Sequence, residues 1–187
     1  MREKLLIALS LLCLSCTSLA QGKRTVLSAT LDGYQRDMVY FDCVQTPFIR
    51  QEFHANPGEE HVYSFDTDRL VSMMINGRTT VLLMPGDSLH VDLRYQGKKV
   101  KEAIFSGTAR AVAGNELYAA VGAVKRDMRY KTQLLACAVV DVKPADRVAD
   151  SRRLLDKTRE LVGQAKGKVD IEVASYVMAE SEGLAYT

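Results

Sequence analysis

The stretch "SLHVDLRY", residues 88–95, decides the fold of the first half of the chain. Leu89, Val91, Leu93 and Tyr95 fall on one side of an extended chain, and His90, Asp92 and Arg94 fall on the other. A period of two marks a strand with one face buried and one face wet. The same alternation recurs outward from it. "TVLSATL" sets Leu27, Ala29 and Leu31 against Ser28 and Thr30. "MVYFDCV" sets Val39, Phe41 and Cys43 against Tyr40 and Asp42, and "HVYSFDT" sets Tyr63 and Phe65 against Ser64 and Asp66. Turn residues separate the runs: Asp32-Gly33, Pro57-Gly58, Asn76-Gly77, Pro85-Gly86-Asp87 and Gly97. Asn76-Gly77, between "LVSMMI" and "TTVLLM", predicts a two-residue hairpin, because both residues tolerate positive φ. About six to eight short strands at this spacing predict an antiparallel β-sandwich over residues 21–107.

After Gly107 the period changes. Leu117, Val121, Val124, Met128, Leu135 and Val139 are spaced by three, four or seven, which is one stripe of a helix. Asn115 is the expected N-cap of that helix, and Pro144 is expected to end or interrupt it. A second helical stretch runs from about Ala145 to Gln164, and "DIEVASYVMAESEGLAY" resumes the spacing through Ile171, Ala174, Met178 and Ala185. The expected fold class is therefore α+β: a sandwich followed by a C-terminal segment of two to three helices, residues 108–187. "SEGLAYT" still reads as helix where the sequence stops, which suits either a natural domain end or a chain shortened relative to longer relatives.

The start of the chain reads as an address. Arg2 and Lys4 precede an apolar run from Leu5 to about Leu14, and Ser18-Leu19-Ala20 ends the segment with small residues before Gln21. This is the layout of a secretory signal peptide, residues 1–20, cut after Ala20. The run is shorter than the roughly 20 residues of a permanent span, so no transmembrane segment is expected after cleavage. Cys13 and Cys16 carry a C-x-x-C spacing but lie inside the discarded run. Cys16 follows Ser15, which leaves a lipoprotein anchor as the alternative. The expected location is the periplasm or cell envelope. Of the four cysteines, Cys43 and Cys137 would remain, both in apolar settings that suit buried thiols, with a disulfide as the alternative in an oxidising compartment.

The totals exclude several classes of function. Twenty-five Lys and Arg against 23 Asp and Glu give a net charge of +2, interspersed rather than blocked, so nucleic acid is not an expected partner. Trp is absent and aromatics make up only 7% of residues, which also argues against a stacking platform for sugars. His54 and His61 flank the "NPGEE" turn with Glu59 nearby, and could converge on a metal. The spacing fits no common ligand motif, so a solvated loop rim is expected. His90 is expected to be simply exposed. Asp87, in the company of Asp66, Asp68 and Asp92, is read as turn chemistry rather than as half of a glycosidase pair. Neither a G-x-S-x-G elbow nor a phosphate loop is present, and Met73, Met74 and Met84 fall in strands, where core packing is the default. No catalytic, cofactor-binding or metal-binding residue is assigned.

Three pieces in order, "LDG", "VLLMPGDSLHVDL" and "IFSGTARAVAGNELYAAV", together with the Ala20-Gln21 junction, resemble one family. They look like the N-terminal region of Bacteroidetes TlpA-like thiol–disulfide oxidoreductases, and "VASYVMAESEGLAYT" is similar to the connector helices of those proteins. The resemblance spans about Thr25 to Thr187. It implies a β-sandwich domain of unknown function and a helical connector, with the redox C-x-x-C in a thioredoxin-like domain absent from this sequence. The function it implies is an exported non-catalytic module for binding, dimerisation or positioning. Its partner would be a protein, a second copy or a thioredoxin-like domain, engaged through an unpaired sandwich edge or the turn-rich end at Asn56, Pro57 and Gly58. The alternative is the N-terminal part of an oxidoreductase whose catalytic domain lies elsewhere.

Overall fold

The computed structural model describes residues 22–46, 49–130 and 143–186. The signal segment, Cys13, Cys16 and Cys137 lie outside the described residues. Eight strands come first: β1 (Lys23–Asp32), β2 (Met38–Cys43), β3 (Arg50–His54), β4 (His61–Thr67), β5 (Val71–Ile75), β6 (Thr79–Leu83), β7 (Ser88–Gln96) and β8 (Lys99–Gly107). Among the described residues three helices follow: α1 (Ala109–Asp127), α2 (Pro144–Gln164) and α3 (Ile171–Tyr186). The strands form two four-stranded sheets, ordered β4-β1-β7-β8 and β3-β2-β5-β6. This is the α+β sandwich with C-terminal helices that the alternation predicts.

The inward residues of both sheets make one core. Leu27, Ala29, Leu89, Val91 and Leu93 meet Val39, Phe41, Met73, Ile75, Val81 and Leu83, all buried. One pairing departs from the expected antiparallel order: β1 runs parallel to β7, with Ser28 beside His90 and Thr30 beside Asp92. The chain leaves β1 for the other sheet and returns much later, so its two central strands need not alternate in direction. Asn76 (φ 53°) and Gly77 (φ 64°) form the predicted hairpin turn between β5 and β6.

One expectation about the helices is corrected. Asn115 is not an N-cap. The cap is Thr108, whose backbone is extended, and α1 starts at Ala109, six residues before Asn115. Asn115 is buried in the helix interior, where its amide has another use, described below. Pro144 begins α2, at the first-turn position where its missing N–H costs nothing; residues 131–142 before it lie outside the described residues. α1 itself stops at Asp127, with Lys125 and Arg126 in its last turn facing the negative end of the helix dipole.

The helices stack on the sandwich rather than trailing from it. Leu117 and Val121 of α1 join Leu82 of β6, Leu70, and Val173 and Val177 of α3 in a second apolar cluster. Ala111 reaches the main core. Gly114 lets α3 approach closely, since a Cβ there would sit 3.1 Å from Val173 Cγ1. Lys125 Nζ lies 2.9 Å from Glu180 Oε1, pinning α1 to α3. Met73 packs in the main core, and Met84, just past the end of β6, packs against the second cluster; Met74 is in β5 but belongs to neither cluster.

Candidate functional site: the open side of the sandwich

A two-sheet sandwich has four edges, and each edge strand offers unpaired N–H and C=O groups. Here they are treated unequally. On the β6 side, Asn115 of α1 brackets Leu82: the Leu82 N–H donates to Asn115 Oδ1 at 2.8 Å and Asn115 Nδ2 donates to the Leu82 carbonyl at 2.8 Å. A side-chain amide thus makes the two bonds that a ninth strand would make. The adjoining turn is locked by Asp87, whose Oδ2 accepts the Met84 N–H at 2.8 Å and whose Oδ1 lies 2.6 Å from Arg110 Nε. Asp87 is therefore the turn residue expected, with the added role of docking α1. β8 exposes Lys99, Lys101 and Glu102, and its pairing with β7 is interrupted by a register shift at Arg94/Tyr95. β3 is only five residues long and exposes Arg50, Glu52 and His54.

β4 is the least defended: its one exposed charge is Asp66, which stands beside Arg24 of β1. It is seven residues long, contains no Pro, Lys or Arg, and is regular along its whole pairing with β1. Its two inward aromatics, Tyr63 and Phe65, stack with ring centroids 5.1 Å apart and remain only partly buried. They line a groove of about 520 Å³ between the sheets, shared with Cys43, Ile49, Val71 and Met73. Val44 and Ile49 add exposed apolar surface, 44% and 46% accessible. Cys43 is buried, and its pairing with Cys137 turns on a residue outside the described residues.

The other sequence candidates fall elsewhere. His61 is buried, 3% exposed, with its ring 5.3 Å from that of Phe53, so the solvated-rim expectation fails for it. The reason is its position as the first inward residue of β4. His54 and Glu59 are exposed, and Glu59 pairs with Asn56 instead of converging with the histidines. Among the described residues, no group of three or more His, Cys, Asp or Glu is arranged to hold a metal ion.

His90 is not simply exposed either. Its Nδ1 lies 2.8 Å from Ser28 Oγ and 2.9 Å from Glu60 Oε1, and its Nε2 lies 3.2 Å from Asp92 Oδ1. Asp92 also accepts a bond from Thr30. The Ser28 hydroxyl and then His90 hold the Glu60 carboxyl below its ordinary range, and Thr30 and then His90 do the same for Asp92. A hydroxyl, an imidazole and a carboxylate in line can support nucleophilic chemistry. Here, however, Glu60 occupies the same imidazole nitrogen as Ser28, and Ser28 is buried in the sheet. The cluster is a polar ladder that ties β4, β1 and β7 on the outer face of their sheet. Sequence reading missed it because it depends on the parallel pairing of strands some 60 residues apart.

These features define a β-sandwich with one helix-sealed side and one open side. No family model and no curated protein matches the chain. Among solved structures, the chain is similar over 47% of its length to a crystal structure from Bacteroides ovatus described as a candidate cell adhesion protein, at 13% identity and a TM-score of 0.23. The match covers 44% of that chain, and at this score it assigns neither fold nor activity.

Proposed function

We propose that the chain is an exported, non-catalytic recognition module that adds a protein strand at β4, with a second copy of itself as the partner. The observation that carries this reading is the β4 edge, regular and free of Pro, Lys and Arg, beside three better defended ones. The strand is also self-complementary. In an antiparallel pair centred on Ser64, Tyr63 faces Phe65 of the other copy, Val62 faces Asp66 and His61 faces Thr67, so no like charges oppose. Such pairing would join two four-stranded sheets into one of eight and cover the apolar groove. The resemblance to TlpA-like N-terminal regions supports a place beside a thioredoxin-like domain in the periplasm or cell envelope, and the apolar start with its Ala20 junction supports export. Among the described residues no helix is long and apolar enough to cross a membrane.

The test is sedimentation of the exported chain over a range of concentrations. A monomer–dimer equilibrium is expected. Ser64→Lys and Ser64→Glu should each shift it to monomer, because the new charge meets its own copy at the two-fold axis. Mixing the two variants should restore a dimer. A wild-type chain that stays monomeric, or a Ser64→Lys variant that dimerises unchanged, overturns β4 pairing. The non-catalytic part is checked by insulin reduction, where any appreciable turnover would overturn it.

A further inference from the structure

Three turns at one end of the sandwich enclose a second, smaller cavity. The β1–β2 turn contributes Tyr34 and Arg36, the β5–β6 hairpin contributes Asn76 and Arg78, and the β7–β8 hairpin contributes Tyr95 and Lys98. Each turn thus delivers one cation to a space of about 130 Å³. No carboxylate lines it: Asp32 and Asp37 flank the β1–β2 turn but do not border the cavity. Elsewhere on the described surface, arginines such as Arg24, Arg50, Arg69 and Arg94 stand beside carboxylates. Arg36, Arg78 and Lys98 form no ion pair among the described residues.

The floor of the cavity is built rather than incidental. Tyr34 packs on Tyr95 with ring centroids 5.0 Å apart, and its hydroxyl donates to the Met38 carbonyl at 2.8 Å. Asn76 accepts the Tyr40 N–H at 2.8 Å and reaches the Tyr95 hydroxyl at 3.4 Å, so the β5–β6 turn is fastened to β2 and β7. Gly33 takes φ +70° and brings its backbone so near the Tyr95 carbonyl that a Cβ would lie 2.8 Å from that oxygen. Arg36 lies close enough to both tyrosines to favour their phenolate forms, although burial raises both phenols overall. The floor thus fixes the three turns that carry Arg36, Arg78 and Lys98, all exposed at the rim of the space.

The geometry points to a binding site for a compact tetrahedral oxyanion, a phosphoryl or sulfuryl group, held by Arg36, Arg78 and Lys98 against the Tyr34–Tyr95 floor. Two guanidinium forks and an ammonium suit several oxygens on one multiply charged centre. The space is well below the roughly 300 Å³ of a pocket for a drug-sized molecule, so it takes the group and not a whole nucleotide. The inference does not rest on β4 pairing, which uses a different surface.

Titration calorimetry on the full chain at low salt tests it, with inorganic phosphate, sulfate and glycerol phosphate as probes. Saturable 1:1 binding is expected, with chemical shifts of the Tyr34 and Tyr95 rings moving together. Arg36→Gln and Arg78→Gln should each weaken binding about tenfold, as loss of one charge-assisted pair does, while Arg24→Gln should leave it unchanged. Equal affinity for phosphate and glycerol phosphate identifies a free-ion site, and tighter glycerol phosphate binding identifies a pendant group; either supports the oxyanion chemistry. Absence of saturation with all three probes overturns the proposal, as does equal weakening by Arg24→Gln.

Discussion

Asn115 pairs with the backbone of Leu82, 33 positions away in sequence, through both ends of its amide at 2.8 Å each. Leu82 is 1% exposed and water cannot replace either bond. Asn115→Leu should therefore leave a buried N–H and a buried carbonyl unpaired, each costing about 1–3 kcal/mol. A loss of about 3 kcal/mol in urea unfolding is expected. Asn115→Asp keeps an acceptor for the Leu82 N–H but turns a charged oxygen toward the Leu82 and Ala111 carbonyls that now accept from Nδ2. It should cost more than Asn115→Leu at pH 7 and recover as the carboxyl is protonated. A change below about 0.5 kcal/mol in both variants would show that the bracket contributes little.

The strands were legible in sequence because each needs only its own alternation: the inward residues of "SLHVDLRY" and "TVLSATL" are the buried ones. What the alternation does not carry is which strand lies beside which. Ser28, Thr30, His90 and Asp92 each looked like a wet-face residue, and only the parallel register of β1 and β7 makes them one ladder. Asn115 failed for a related reason. An Asn ahead of an apolar stripe has the local signature of a cap, but a tertiary contact with an edge strand outweighed it. The edges could not be ranked by their defences until the strand order was known.

Ser72 supplies a prediction of the opposite sign. The residue is fully buried in β5 and its hydroxyl has no hydrogen-bond partner. Its backbone N–H is satisfied by Gln45 Oε1 at 3.0 Å, and its carbonyl accepts from Val44 at 2.9 Å, so the strand does not need the side chain's help. Ser72→Ala removes an unpaired polar group and little volume. Unfolding free energy should rise by about 1 kcal/mol, read as a higher denaturant midpoint at unchanged slope. A lower midpoint would mean that the hydroxyl has a partner, such as a bound water.

Alkaline unfolding should report on Tyr118. Burial, and then the nearby Glu180 carboxylate, push its phenol well above the ordinary range. The unfolded chain releases that proton near pH 10, while the folded chain keeps it. The unfolded state then binds fewer protons, and stability falls as pH rises above about 10. Glu180→Gln should make this fall shallower, and an absorbance titration of phenolate should show Tyr118 ionising earlier in that variant. An identical alkaline slope in the variant would remove Glu180 as a cause.

At the acid end the sign reverses. Glu60 and Asp92 are both held below their ordinary range, chiefly by Ser28 and Thr30 respectively and then by His90. In the unfolded chain these carboxylates take up protons at about pH 4, while the folded chain resists until lower pH. Below that point the unfolded state binds more protons, so the stabilisation present above pH 4 is lost as pH falls through the folded values. Ser28→Ala and Thr30→Val should each flatten the stability curve between about pH 5 and 2, the first by releasing Glu60 and the second by releasing Asp92. Arg153→Gln, which breaks an exposed pair with Asp150 on α2 away from this ladder, serves as a control. Unfolding curves taken at half-unit pH steps would separate the cases. An acid slope that is unchanged by both hydroxyl removals would show that the ladder between β4, β1 and β7 does not hold its carboxylates charged.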